Sequence, residues 1–143
     1  MAVGDLGTAT AGFEGKATAG DLGKATAGDL GTATAGVKGN ASAGYLGTAT
    51  AGNYGKATAG VKGKATAGDH GTATAGNRGN ASAGVKGTTQ AGIRGEIHVR
   101  WWDARTDRFR TLVGYIGEDG LEADIPYKVE VSEEGTPRFV KAG

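Results

Sequence analysis

The chain contains no cysteine among its 143 residues, so disulfide bonds and thiolate metal sites are excluded. It has only two prolines, and its glycines do not recur at every third position, which excludes a collagen helix. Aromatic residues make up 6% of the chain, too few for an ordinary globular core. No apolar run is long enough to cross a bilayer, so we expect no membrane span.

An excess of charge of either sign is also absent, because 16 basic and 15 acidic residues leave a net charge of +1, which does not favour a disordered chain. Its distribution is uneven: residues 53–95 hold one acid and six bases, whereas residues 96–143 hold ten acids and seven bases. The basic middle is the one stretch that indicates an anionic partner. The N-terminus lacks the basic and apolar regions of a signal peptide. An eight-residue repeat begins directly after Met1-Ala2-Val3, and this abrupt start suggests either a fragment or an engineered version of a longer protein.

The dominant feature is an eight-residue repeat, Gly-x-x-Gly-[Thr/Lys/Asn]-Ala-[Thr/Ser]-Ala, which runs from Gly4 to about Gly95. Repeats of fixed length indicate one small unit stacked on copies of itself. The second half of each unit alternates polar residues with alanine, the period of a β-strand, and the alanines are expected to face inward. Each Gly-x-x-Gly is a turn, in which we expect glycine to supply a positive φ. The sequence therefore predicts an all-β fold, a β-solenoid or β-roll.

The number of residues in one coil has two solutions. A four-residue strand with a turn at each end favours sixteen residues per coil, with one strand on each face. The alternative of eight residues per coil requires very sharp corners. Since alanine buries little apolar area, stability must depend largely on continuous backbone hydrogen bonds between coils.

From Glu96 the pattern changes to longer alternating segments that carry both tryptophans. Turn residues separate these segments, which predicts two hairpins. We therefore divide the chain into a solenoid, residues 1–95, and a small C-terminal β cap, residues 96–143. The apolar side chains expected to cover the last coil and close its strand edge are Ile97, Val99, Trp101, Phe109 and Val113.

The C-terminal region also carries a family resemblance. The segment Val113-Gly114-Tyr115-Ile116-Gly117-Glu118-Asp119-Gly120 is followed by Pro126-Tyr127 and then by Phe139-Val140. An octapeptide array closed in this way resembles an uncharacterised family of phage and bacterial Gly-rich repeat proteins. The array is also loosely similar to the β-roll heads of trimeric autotransporter adhesins. The resemblance implies a β-solenoid with a short cap, and it implies no activity.

Catalytic chemistry has few candidates in this sequence. His70 lies in a variable turn position and His98 on a cap strand, and neither has a serine or carboxylate at a recognisable spacing. Stretches such as Gly20–Ala25 lack the glycine spacing and the Ser or Thr of a phosphate-binding loop. An aspartate column is interrupted by Phe, Val, Tyr and Asn, which does not favour a calcium roll; its members are Asp5, Asp21, Asp29 and Asp69. We expect a non-enzymatic protein without cofactor or metal.

Two repeated columns are candidate binding surfaces. The first is a threonine row, interrupted only by Ser42 and Ser82: Thr10, Thr18, Thr26, Thr34, Thr50, Thr58, Thr66 and Thr74. Regular Thr-x-Thr rows on a flat solenoid resemble those of insect antifreeze proteins, so ice is a candidate partner. Lysine and asparagine interrupt the neighbouring row, and a lysine ammonium is strongly hydrated. Stabilisation of the sheet by β-branched side chains is therefore the favoured interpretation.

The second column is the residue before the second glycine of each turn, and it changes from apolar to basic along the chain. Its basic end consists of Lys62, His70, Arg78, Lys86 and Arg94. Such a column could hold a polyanion, and a polysaccharide is the favoured kind. Scarce aromatic residues beside it argue against a nucleic acid. Like charges that keep the protein soluble are the simpler interpretation.

These observations favour a structural role. We predict a rigid rod, spacer or fibre segment that displays a regular surface. An ice-binding protein and a phage or bacterial adhesin for an anionic glycan are the alternatives. The first coil, at Gly4–Ala11, has no cap of its own, so its strand edge can pair with a second copy and form a homo-oligomer. The alternative is a monomer with a weakly adhesive end from which an upstream domain has been removed.

Overall fold

The computed structural model describes residues 4–142, which form fifteen β-strands and no helix. The all-β prediction is confirmed. In chain order, β1 to β15 are Thr8–Ala11, Lys16–Thr18, Lys24–Ala27, Thr32–Ala35, Asn40–Ala43, Thr48–Ala51, Lys56–Ala59, Lys64–Thr66, Thr72–Ala75, Asn80–Ala83, Thr88–Gln90, Glu96–Asp103, Arg108–Tyr115, Tyr127–Val131 and Pro137–Lys141.

The strands form two sheets because consecutive octapeptides alternate between them. Sheet 1 has the order β1-β3-β5-β7-β9-β11-β14-β15, and sheet 2 has the order β13-β12-β10-β8-β6-β4-β2. Thr8 pairs with Lys24 and Lys16 pairs with Thr32, both in parallel ladders, so one coil contains sixteen residues. The favoured coil length is confirmed, and the chain is a β-solenoid of about six coils.

The interior of the solenoid is built from alanine, as the alternation predicts. The first alanine of each octapeptide is the more deeply buried, and Ala17, Ala33 and Ala49 have no exposed surface. A methyl group is short, so the two sheets can approach more closely than the usual separation of about 10 Å. The polar residues between the alanines lie on the outer faces of both sheets.

Backbone hydrogen bonding continues around the corners of the coil. Within a turn, the Gly7 amide donates to the Gly4 carbonyl at 3.1 Å. Between coils, the Leu6 amide donates to the Asp21 carbonyl at 2.9 Å, and the Gly20 amide donates to the Gly4 carbonyl at 3.2 Å. The same three bonds recur along the array, so turns as well as strands hold successive coils together.

The expectation that glycine supplies the positive φ of each turn is wrong. In all twelve turns between Gly4 and Gly95, the positive φ, from 55° to 61°, belongs to the residue before the second glycine. Leu6, Lys62 and Arg94 are examples. This left-handed conformation is costly for residues with a Cβ, about 1 kcal/mol or more each. It directs the amide of that residue along the rod, towards the carbonyl of the next coil.

The glycines are instead required by close approach between chain segments. A Cβ on Gly60 would lie 2.9 Å from the carbonyl carbon of Gly44 in the preceding coil. A Cβ on Gly63 would lie 2.8 Å from the Ala59 Cβ. The first glycine of each turn therefore allows the turns to stack, and the second allows the corner to close over the alanine interior.

The parallel register continues four residues beyond the proposed boundary at residue 95. Glu96 pairs with Asn80 and Val99 pairs with Ala83, so the first half of β12 is the last solenoid strand of sheet 2. At Val99 the chain does not turn, and β12 runs straight on to Asp103. β13 then returns antiparallel along its full length. The division at residue 95 stays a sequence-based prediction.

The second hairpin completes sheet 1. β14 pairs antiparallel with β11 through Tyr127 and Thr89, and β15 pairs with β14. Between the two hairpins lies a small apolar cluster, in which the absence of a side chain at Gly114 makes room for Leu121 and Phe139. Antiparallel strands thus follow the last parallel strand of each sheet at the C-terminal end, which fits a small cap.

The apolar residues assigned to the cap divide between its two faces. Ile97, Val99 and Trp101 are buried, as expected. Phe109 and Val113 are 50% and 39% exposed, and they pair with the outward-facing residues Trp102 and His98. Residues directly opposite in an antiparallel pair share a face, so these two side chains lie on the outer face of the hairpin and not over the last coil.

Candidate functional site

The threonine row is divided between opposite faces because successive octapeptides lie in different sheets. The outer face of sheet 1 carries Thr10, Thr26, Thr58 and Thr74. The outer face of sheet 2 carries Thr18, Thr34, Thr50 and Thr66. Each face therefore has half of the threonines that the linear pattern placed in one column.

The largest regular threonine patch is a square of four residues on sheet 2. Thr32 and Thr34 of β4 pair in register with Thr48 and Thr50 of β6. In the first row Lys16 and Lys64 flank this square, whereas the second row continues with Thr18 on one side and Thr66 on the other. The complete Thr-x-Thr pattern therefore spans two strands, or about 5 Å across the sheet, although one of its two rows has threonine on four successive strands.

The basic column is also divided, between the two edges of the solenoid. We call the turns that lead into sheet 1 edge 1 and those that lead into sheet 2 edge 2. Lys62, Arg78 and Arg94 occupy successive turns of edge 2, about 4.8 Å apart at the spacing of strands. His70 and Lys86 lie on edge 1. The His70 ring stacks on Tyr54 with ring centroids 4.9 Å apart and an interplanar angle of 4°.

The first variable position of each turn has a role that the sequence analysis did not assign. When it is Asp or Asn, its Oδ1 accepts a hydrogen bond from the amide sixteen residues later. Asp29 accepts from Tyr45 at 2.8 Å, and Asn77 accepts from Ile93 at 2.9 Å. We call these contacts side-chain clamps; the other four acceptors are Asp5, Asp21, Asn53 and Asp69. The aspartate column thus joins neighbouring coils.

One carboxylate of the cap is held in a dense set of donors. Asp103 is 2% exposed and accepts from Arg110 Nε at 2.7 Å and from Thr106 Oγ1 at 2.8 Å. Burial raises its pKa and is the largest single effect, whereas these two hydrogen bonds lower it. The backbone amide and the charge of Arg105 lower the pKa further, so that it falls from 3.8 to about 2. The cluster fixes the tip of the β12–β13 hairpin.

Comparison with family models, curated proteins and solved structures gives no match to this chain. The resemblance to phage and bacterial repeat families therefore rests on the sequence patterns alone. Within residues 4–142, no helix is both long and apolar enough to cross a membrane.

Proposed function

We propose that the chain is a non-enzymatic structural protein, a rigid rod segment that serves as a spacer or fibre element. The observation that supports this best is the uninterrupted hydrogen bonding between coils, in strands and corners alike. Side-chain clamps and stacked glycines restrict the same contacts further. Because every coil is held in one register, bending requires many bonds to be strained together.

The proposed rod has a defined length. Sheet 1 contains eight strands, and at about 4.8 Å per strand it extends about 34 Å from β1 to β15. Each added coil should lengthen it by the same 4.8 Å or so, because every coil has sixteen residues and one strand in each sheet. This regularity is the property that a spacer requires.

Distance measurement between spin labels tests the proposal. Since the chain has no cysteine, Leu6→Cys and Lys86→Cys place labels only on edge 1, five coils and about 24 Å apart. We expect a narrow distance distribution, and a shift of about 10 Å when residues 20–51 are duplicated. A glycine-serine insertion of equal length is the matched control and should give a broad distribution. A broad distribution in the original chain would refute the rigid rod.

Self-association through the N-terminal coil is part of the proposal. Within residues 4–142, β1 and β2 end their sheets, whereas antiparallel strands end both sheets at the other side. The Lys24 amide donates to the Gly7 carbonyl of the preceding coil. By the same register, the Thr8 and Thr10 amides point away from β3 and can donate to an added strand. A second copy meeting the first head to head would satisfy them.

Thr10→Pro tests this association, because it removes one outward donor without removing a bond to β3. We expect the wild-type chain to form dimers at high concentration in light scattering, and Thr10→Pro to dissociate more readily. Removal of residues 96–143 should expose edges at the C-terminal end and convert the rod into a fibre former under the electron microscope. A soluble monomer after that deletion would contradict the capping role.

The likeness to phage and bacterial octapeptide-repeat proteins belongs to the same proposal and is supported by the repeat and the C-terminal segment. Of the two alternatives, an anionic glycan and ice, we place the glycan first. The observation that supports it is the row of three cations in successive turns of edge 2, Lys62, Arg78 and Arg94. Salt-dependent retention on heparin, lost when all three are neutralised, would support it. Thermal hysteresis lost in Thr34→Tyr and Thr50→Tyr would support ice binding instead.

A further inference from the structure

A polar groove lies on the outer side of sheet 2, where β12 overshoots the solenoid. The two preceding strands of sheet 2, β8 and β10, are followed by turns that begin at Gly68 and Gly84. β12 instead continues past the corresponding position to Asp103. The projecting hairpin and the corner beneath it enclose a concave space of about 520 Å³. This volume is within the usual range of small-molecule sites, about 300–1,000 Å³.

Hydroxyl groups and an imidazole form the floor of this groove. Thr66, Ser82 and His98 occupy successive strands in one outward row, paired in register, so the row extends about 10 Å. Thr111, on β13 opposite Arg100, adds a third hydroxyl. The Nε2 atom of His98 is buried and has no hydrogen-bond partner within residues 4–142. Such an unpaired atom is rare in native proteins, and a bound hydroxyl group would give it a partner.

Two opposite charges lie at the two ends of the groove. Arg100 lines the upper end, where its guanidinium lies over the Phe109 ring, 4.8 Å from the centroid. No ion pair with a carboxylate is formed by Arg100 within the described residues 4–142. Asp69 lines the lower end, two coils away, and one of its carboxylate oxygens is used by the Val85 amide at 2.9 Å. Its second oxygen can accept a bond from a ligand hydroxyl.

We propose that this groove binds a sugar acid, a polyhydroxylated ring with one carboxylate. The carboxylate pairs with Arg100, whose planar guanidinium matches two carboxylate oxygens. The ring hydroxyls lie along Thr66, Ser82 and His98, and a distal hydroxyl donates to Asp69. A simple anion would use the arginine alone, and a neutral sugar would leave the arginine unpaired. The mixed set of donors and acceptors favours a ligand with both features.

The test is an NMR titration of the full-length, ¹⁵N-labelled chain with D-glucuronate. We expect saturable shifts of the amides of Gly84 and Thr111, with a Kd of about 1 mM for so small a ligand. D-Glucose has the ring hydroxyls without the carboxylate, and acetate has the carboxylate without the hydroxyls. Each should therefore bind about tenfold more weakly than glucuronate. Equal binding of acetate would mean an anion site only, and equal binding of glucose would mean that Arg100 has no role; either result overturns the proposal.

Matched variants separate the groove from the rest of the surface. Arg100→Gln should weaken glucuronate binding about tenfold, whereas Arg108→Gln, an exposed arginine on the same hairpin, should leave it unchanged. Thr66→Val should weaken binding severalfold, whereas Thr34→Val, in the same outward row but outside the groove, should not. Unchanged melting temperatures would show that all four variants fold. No saturable binding to the folded wild type, or full binding by Arg100→Gln, would refute the site and leave the proposed rod unaffected.

Discussion

Two glycines at the same place in the octapeptide provide a direct test of why the repeat contains glycine. Gly12 and Gly60 both open a turn of edge 2, and neither has a positive φ. A Cβ on Gly12 would meet no atom within 4 Å, because no described coil precedes that turn. A Cβ on Gly60 would lie 2.9 Å from the Gly44 carbonyl carbon and 3.0 Å from its oxygen. Gly12→Ala and Gly60→Ala thus make the same chemical change, the first without a preceding coil and the second against one.

The expected effects on the free energy of unfolding have opposite signs. Replacing glycine by alanine at a compatible backbone position stabilises by about 0.4–1 kcal/mol, because the unfolded chain loses entropy. Gly12→Ala should show this gain alone. At Gly60 the same gain is outweighed by overpacking, which costs about 1–3 kcal/mol in a closely packed structure. The entropy term cancels between the variants, so they should differ by the overpacking cost itself.

Thermal and urea unfolding followed by far-UV circular dichroism measures this difference. For a chain of this size about 1 kcal/mol corresponds to roughly 3 °C, so the two melting temperatures should differ by about 3–9 °C. Hydrogen exchange should show faster exchange at the corners near Gly60 in the destabilised variant. If both variants are equally stable relative to the wild type, close stacking of turns is not the reason for the first glycine.

Three further changes test other contacts. Asp29→Ala removes the acceptor of the Tyr45 amide and should cost about 1 kcal/mol in urea unfolding; a result equal to wild type would show that the clamp adds nothing. Lys38→Asn should raise the melting temperature by about 2 °C, because asparagine tolerates its φ of 58° better; a lower value would contradict the strain. The pKa of Asp103 is lower in the folded chain than its ordinary 3.8, so its stabilising contribution is present above about pH 4 and lost towards pH 2. Asp103→Asn should therefore melt at a lower temperature than wild type at pH 7 but approach it at pH 2, and a constant difference would refute this assignment.

The fold could be read from the sequence because one period determines both local structure and burial. Alternation of alanine with polar residues specifies a strand and its inner face at once, and a recurring turn fixes the strand length. The preference for sixteen residues per coil followed from the geometry of turns alone. Every strand from β1 to β10 repeats this pattern, so the assignment of strands and of their inner face does not depend on any single octapeptide.

Contacts between coils were less accessible to sequence analysis. Eleven of the twelve positive-φ residues in the array are Leu, Lys, Arg, Tyr or Glu, which give no local signal for that conformation. The clamps follow from the spacing between Asp5 and Asp21, or between Asn53 and Asp69, but only after the coil length is known. In β13, Leu112 and Val113 are adjacent apolar residues, so the alternation does not specify which of them faces inward.

The junction between the repeats and β12 is the place where specific recognition can arise in this protein. Most positions of the octapeptide repeat the same few residues, so neighbouring coils bring together few kinds of side chain. The guanidinium of Arg100 and the imidazole of His98 join the hydroxyls of Thr66 and Ser82 where the repeat is broken, because β12 runs straight on after Val99. Coils added between residues 20 and 51 would lengthen the rod and leave that junction intact. Length and recognition are therefore physically separable, and each can change without disturbing the other.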